Sequence, residues 1–538
     1  MTDPAIHDED TTVFEASRIL ALDGTEPEAF AVRDGWIVDT GPREKLGARF
    51  PSARRVQLDG RLVVPGFNDA HCHVSQAALA RVRVDLSDAR DGDDVLRALR
   101  ARAAVCPAGE WVIGQALDES RLTGEKIGRR ALDTVSGEHP VLIIHYSFHR
   151  AVANSAALDR LGYRDSSDAP AGGQLTTDEQ GRLDGWLIER AWLDAWLPGT
   201  RRSPFETGDH LGGRIAALTE VDNDLHQLGI TSYCDAIVGP AEHELFMAAH
   251  ERGVLTPRVA MLVWYSYLRD DLSVPLEWAP HLRVSGIKMM VDGALSGGTC
   301  LCQRPYPSST GTNNGLQIVG DDEFRECFSS AADAGHRVAV HANGDLAIAK
   351  VLDVIDGLPP AANSVRHRIE HCSITDPGLL DRIRANRVIP VPFGAFPMLF
   401  GEQLVGFYGE ERADWTCAHR AMLDAGLDVA GSSDFPIVPA DPLLAVQSMV
   451  TRRTPTGMPV GVRQQISVVE ALQVYSTGSA HATGEADVKG TLRPGQLADF
   501  VVLGEDLTRI SPGRISQVPV QSTWVGGQCV WQLTGQER

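Results

Sequence analysis

Two kinds of apolar pattern alternate along the chain. Over the first sixty residues the apolar runs are short and broken by tight turns, as in VFEASRILALDG, AFAVRDGWIVDTG and RRVQLDGRLVVPG, with Asp34-Gly35 at one of the turns. Short β-rich runs punctuated in this way predict hairpins. The closing segment repeats the style in GTLRPGQLADFVVLGEDL and VQSTWVGGQCVWQL, where Gly526-Gly527 separates two β-rich runs. Between these ends, apolar strands alternate with stretches of helical period, as in FRECFSSAADAGHRVAVHANGD and LLDRIRANRVIPVPFG. That alternation predicts parallel strands joined by crossover helices.

Strands are predicted at residues 63–69, 230–236, 258–265, 286–292, 337–342, 366–372, 388–393 and 428–434. Eight such units make an α/β fold, a closed (β/α)8 TIM barrel. The interval 75–229 far exceeds an ordinary crossover. It carries strand-like segments of its own, EWVIGQALDES and HPVLIIHYSFHRAVANSAAL, and reads as a large insertion after the first strand, covering one side of the barrel mouth. Chain ends commonly lie near each other, so residues 1–63 and 485–538 are expected to form a small β-sandwich, with the barrel over 64–484.

A chain of 538 residues is long enough for more than one core, and its 43% hydrophobic content excludes a mainly disordered protein. No apolar run approaches the roughly 20 residues of a membrane helix. The formal net charge of -21 opposes binding to nucleic acid or an anionic membrane. The expected partner is a small-molecule substrate, with a homodimer as the base-rate assembly. The opening MTDPAIHDEDTTVF lacks the basic and apolar regions of a secretory signal, and the nine cysteines show no paired spacing, so a cytoplasmic protein with reduced thiols is expected. The closest pair, Cys300 and Cys302, reads as buried thiols.

Candidate chemistry begins in RLVVPGFNDAHCHV. On a strand, His71 and His73 project to one side and Cys72 to the other, and two adjacent imidazoles are half a metal site. Further candidates sit at other predicted strands: Lys288 in SGIKMMVDGAL, His341 in VAVHANGD, His371 in RHRIEHCS and Asp434 in DVAGSSDFP. Barrel active sites gather at the C-terminal strand ends, so these residues fall on one rim. Lys288, flanked by Ile287, Met289 and Met290, would be a desolvated ammonium of lowered pKa. A neutral amine can take up carbon dioxide as a carbamate, an anionic ligand able to bridge two divalent ions. The alternative is a buried salt bridge to Asp292 or Asp235.

PGFNDAHCH, the strand-four lysine, the two single histidines and GSSDFP resemble the amidohydrolase superfamily over nearly the whole chain. VANSAAL, GIKMMVDGAL, HANGD, RIEHC, GSSDFPIVPADP and GTLRPGQLADFVVL followed by TWVGGQCV are similar to its amidohydrolase 3 branch, which includes N-substituted formamide deformylase. The resemblance implies a metal-binding barrel with a sandwich built from both chain ends. It implies that His71 and His73 hold the more buried metal with Asp434, that His341 and His371 hold the more exposed one, and that carbamylated Lys288 bridges them. The ions are expected to be zinc, with iron or manganese as alternatives. Catalysis is assigned to Asp434, His371 and Lys288, with Asp434 as general base and acid toward a metal-activated water. Glu370, Arg368 and Asp345 are expected to orient ligands or the substrate carbonyl. His149, Arg150, Asn154 and Glu189, in FHRAVANS and GWLIERAW, are expected at the substrate pocket, and Trp186, Phe393 and Phe396 point to an apolar or aromatic amide. LSGGTCLC departs from the family pattern after strand four. The reading is a hydrolase of non-peptide C–N bonds. A mononuclear deaminase of a small heterocycle and a non-catalytic binding barrel are the alternatives; HANGD in place of a His-Ala-Gly-Glu pattern disfavours the first, and the complete ligand set disfavours the second.

Overall fold

The computed structural model describes residues 8–124, 126–197, 211–270, 281–295, 298–307 and 313–534. Expectations for residues 1–7, 198–210, Ser296, Gly297 and 535–538 fall outside them. Seven parallel strands follow one another round a nearly closed barrel of TIM type: β1 (Phe67–Cys72), β2 (Ile230–Val238), β3 (Arg258–Trp264), β4 (Leu282–Met290), β5 (Val338–Ala342), β6 (Arg368–His371) and β7 (Ile389–Pro392). Their residues are buried almost without exception. Helices cover the outside of a parallel sheet and side chains fill its inside, which is why these strands read as continuous apolar runs.

Two strand expectations are corrected. The first predicted strand, 63–69, is two strands in two sheets: Leu62–Pro65 pairs antiparallel with Phe500–Leu503, and the barrel strand begins at Phe67. Gly66 sits at the break, where a Cβ would lie 2.2 Å from Thr231 Oγ1. Gly66→Ala is therefore expected to destabilise the protein by roughly 1–3 kcal/mol through overpacking, measured by denaturant unfolding.

The eighth predicted strand, 428–434, is not a regular strand, although it closes the ring. Ala430 N–H donates to Pro390 O and Gly394 N–H to Ser432 O on one side, at 3.1 Å each. On the other side Ala70 N–H donates to Gly431 O and Asp434 N–H to His71 O, at 2.9 Å each. The ladder is interrupted because Asp69, fully buried, takes the Ser433 hydroxyl and, at 3.1 Å, the Ser433 N–H; such side-chain bonds compete with strand pairing.

Outside the barrel, one four-stranded sheet runs Trp36–Gly41, Ala29–Arg33, Thr12–Glu15, Arg54–Gln57, and another runs Gln528–Gln532, Val520–Val525, Phe500–Leu503, Leu62–Pro65. Phe14 and Phe30 of the first pack against Phe500 of the second at ring-centroid distances of 5.1 Å. A six-stranded sheet spanning Val84 to Glu189 lies between β1 and β2 in sequence, with its own core including Leu99, Leu132, Ile143 and Val152. Among the described residues no helix is long and apolar enough to cross a membrane.

Candidate metal centre

The C-terminal ends of the barrel strands bring the candidate ligands together. His71 is the penultimate residue of β1, while His73 falls just beyond it, at the N-cap of the helix Val74–Val82. Their rings are 5.3 Å apart, His371 lies 4.6 Å from His71, and His341 lies 4.4 Å from His371, so four imidazoles form one row. Asp434 Oδ1 is 3.1 Å from His73 Nε2 and 3.5 Å from His71 Nε2. Asp434 and His371 have left-handed backbones, with φ of 66° and 70°; backbone outliers of this kind cluster where a side chain must be aimed at a site.

The ring nitrogens have defined environments. Burial, reinforced by nearby positive groups that include Lys288, holds His71, His341 and His371 well below the ordinary imidazole pKa. All three are neutral at pH 7 and each keeps a lone pair. His71 Nδ1 donates to Glu370 Oε2, which makes Nε2 the basic nitrogen, and Nε2 is buried without a hydrogen-bond partner. His371 Nδ1 is also buried and unpartnered. His341 Nε2 lies 3.1 Å from the Gly293 carbonyl and 3.0 Å from Asn343 Nδ2. An unsatisfied buried acceptor costs about 1–3 kcal/mol. A divalent cation removes that cost, and a donor set of imidazole nitrogens and carboxylate oxygen suits zinc, iron or manganese. The chain fits the group.

Lys288, 1% exposed on β4, faces the same space. Burial lowers its amine to about 8, against the opposing pull of Glu370 and Asp434. The alternative salt bridges are not formed. Asp292 is occupied by the N–H groups of Leu301, Asn343 and Gly344 at 2.8–2.9 Å, and Asp235 by Ser75 N–H at 2.8 Å.

A buried chain of contacts holds the first imidazole from behind. Arg368, fully buried, grips Glu370 with two bonds of 2.7 Å and donates to Ala70 O at 2.7 Å and Ala482 O at 3.1 Å. Glu370 in turn fixes His71. Glu370→Gln leaves the Arg368 charge buried without its partner, so a loss of about 3–5 kcal/mol is expected. Freeing the His71 ring should weaken metal binding about 10–100-fold. Denaturant unfolding and metal titration check the two effects separately.

The rim encloses a cavity of about 40 Å³ accessible to water centres, room for a few waters or a small group. His71, His73, Lys288, His341, His371 and Asp434 line its floor. Phe148, His149, Leu193 and Trp196, from the segment between β1 and β2, line it with Ile237, Met290 and Ile437, and Gln76 and Ser147 add two polar side chains. His149 Nδ1 bonds Glu189 Oε2 at 2.8 Å. Burial opposes charge on the His149 ring, but Glu189 outweighs it and holds the pKa above the usual imidazole value.

Other candidates lie elsewhere. Arg368 acts beneath Glu370 and does not line the cavity. Asp345 starts the helix Asp345–Asp356 and accepts the N–H groups of Gln303 and Leu346 at 2.8 and 2.9 Å. Asn154 caps the helix Ser155–Leu161. Arg150 lies over the Trp186 ring at 5.4 Å, and Trp186 Nε1 donates to Ile127 O. Phe393 stacks on His371 at 4.4 Å and on Phe396 at 3.7 Å, so the aromatic pair braces a candidate ligand ring. Cys300 and Cys302 are buried, with their sulfurs 3.9 Å apart.

A TIM-type barrel whose strand ends carry lone-pair imidazoles, a carboxylate and a buried amine defines a metal-dependent hydrolase. The chain belongs to the amidohydrolase family, whose profile matches residues 54–531. It is 28% identical over 535 residues to the N-substituted formamide deformylase of Arthrobacter pascens, covering 94% of this chain and 95% of that one. It is 29% identical over 527 residues to YtcJ of Bacillus subtilis (strain 168), whose name assigns it to the amidohydrolases without a substrate, covering 95% and 97%. Among solved structures, an uncharacterized metal-dependent hydrolase from Pyrococcus horikoshii OT3 matches with a TM-score of 0.75 at 25% identity, covering 94% of this chain and 99% of that one.

Proposed function

We propose that the protein hydrolyses an amide-type C–N bond of a small organic substrate at a binuclear metal centre. The observation that carries this reading is one rim holding three neutral buried imidazoles, two of them with unpartnered nitrogens, beside Asp434 and a buried Lys288 whose amine is held low by burial. His71, His73 and Asp434 would hold one ion and His341 and His371 the other, with Lys288 between them as a carbamate. The bound ions would supply hydroxide at neutral pH and a Lewis acid for the carbonyl.

The chain's own groups do the rest. Lys288, held at about 8, has an appreciable neutral fraction near pH 8. Its nitrogen forms a bond to the carbon of carbon dioxide and loses a proton, which converts a buried cation into an anion. Asp434 accepts the proton of the attacking water at the carboxylate and passes it to the leaving nitrogen, so that the amine departs neutral. Glu370 keeps His71 in one tautomer throughout. The apolar part of the lining, Phe148, Leu193, Trp196, Ile237, Met290 and Ile437, favours an uncharged substituent on the substrate.

The similarity to N-substituted formamide deformylase supports C–N chemistry. The test is amine release from a panel of formamides, acyl amides and cyclic amides, with and without chelator. Release that chelation abolishes is expected. Ammonia from an aminoheterocycle, with no amide turned over, would replace this reading with the deaminase one.

A further inference from the structure

The metal ligands do not account for His149, and its setting is unusually constrained. Glu189 N–H donates to the His149 carbonyl at 2.8 Å, and Glu189 Oε2 meets His149 Nδ1 at 2.8 Å, so the two residues are tied through backbone and side chain alike. Glu189 is 1% exposed and adopts φ 48°, ψ -121° where the strand Leu183–Glu189 turns into the helix Arg190–Trp196. Phe148 is also left-handed, at φ 59°. Such conformations cost about 1–3 kcal/mol each and persist where the surroundings enforce them. The helix that begins at Glu189 carries Leu193 and Trp196 into the cavity wall. Glu189 reaches the barrel too, because a Cβ on Gly293 would lie 3.0 Å from its Oε1, and the Gly293 carbonyl faces His341. The carboxylate thus locks the His149 ring in the cavity lining beside that of His341, 5.6 Å away. Nδ1 is taken by Glu189, so Nε2 is the ring atom free to meet a substrate.

We propose that His149 is a catalytic residue whose Nε2–H donates to the carbonyl oxygen of an uncharged amide bearing an apolar substituent, with Glu189 as its positioning residue. This deepens the amide-hydrolysis reading and rests on it. As the water oxygen bonds to the carbonyl carbon, the C=O π pair moves onto the oxygen that His149 faces. The pair returns when the C–N bond breaks, and the Nε2 proton stays on the ring. The donor sits preorganised where negative charge develops, which is where a hydrogen bond lowers the barrier rather than merely binding the ground state. The substituent packs against Phe148, Leu193, Trp196, Ile237 and Met290, none of which offers a partner to a charged group.

The test is steady-state kinetics and metal content of the holoenzyme on the amide of the panel that it turns over best. His149→Ala is expected to lower kcat about 10²–10³-fold, with KM within about threefold and metal content unchanged. Glu189→Gln should lower kcat with the same KM pattern, and adding it to His149→Ala should cost nothing more, because the two act as a unit. His149→Gln, which restores a donor, should recover part of the loss and replaces the alanine variant if that one fails to fold. Wild-type turnover with kcat of His149→Ala within about threefold overturns the assignment alone. Loss of metal in His149→Ala also overturns it, making the residue a ligand. A wild-type enzyme that turns over no amide overturns the amide reading and this assignment with it.

Discussion

Asp434→Asn is expected to lower kcat by about 10²–10⁴-fold, toward the upper end of that range, while leaving the fold intact. The loss is large because one oxygen serves two needs: it lies within 3.1–3.5 Å of the His71 and His73 imidazoles, and it belongs to the only carboxylate lining the described cavity that can take a proton from water there. The fold survives because asparagine adopts the left-handed backbone of φ 66° as readily as aspartate does, and the closing segment is held by the main-chain bonds of Ala430, Gly431 and Asp434. Kinetics and thermal unfolding of one preparation check the two statements together. A variant retaining a tenth of the wild-type kcat would remove Asp434 from proton transfer.

Lys288→Met should separate function from stability. Activity is expected to fall at least about 10²-fold and bound metal by one equivalent or more, since methionine can form no carbamate. The stability of the metal-free protein should move the other way. Lys288 has its pKa lowered from 10.5 to about 8 by burial, so the folded state binds this proton less tightly than the unfolded state does. The group therefore costs stability at pH 7, a cost that is complete below about pH 8 and disappears as pH rises past about 10.5. Methionine of similar length carries no charge to desolvate, so chelated Lys288→Met should unfold at the same temperature as chelated wild type or higher. A buried cation kept at a cost to the fold marks a site shaped by chemistry. Thermal unfolding at pH 7 and pH 10 after chelation checks the sign, with the gap between the two proteins narrowing at the higher pH.

Much of the rim was legible in the chain because a barrel places every strand's C-terminal end on one side. Once seven strands are recognised, His71, Lys288, His341 and His371 must share a rim whatever their separation in sequence. Asp434 joins them although its segment is no regular strand: the Asp69 bonds to Ser433 break the ladder but leave the chain running between β7 and β1. No local signal announces that competition, because it depends on a carboxylate more than 360 residues away. The division of the first strand at Gly66 is equally silent, since its cause is the closeness of Thr231. The apolar cavity walls were missed for another reason. Phe148, Trp196, Ile237 and Met290 have the same residue types and spacing as core positions, and the turn of the chain at Phe148 and Glu189 brings the first two to the cavity that the candidate ligands line. Asp345 is held at a helix start by the Gln303 and Leu346 N–H groups, whereas Arg368 reaches the rim through Glu370, which holds His71.

Metal equivalents per chain, measured by elemental analysis on protein purified without chelator and paired with intact mass under native conditions, test the central claim most directly. Two divalent ions per chain, with a mass increase of one carbon dioxide that Lys288→Met abolishes, are the predicted result. A chain that binds no divalent ion even after reconstitution, or binds one and carries no added carbon dioxide, would contradict it.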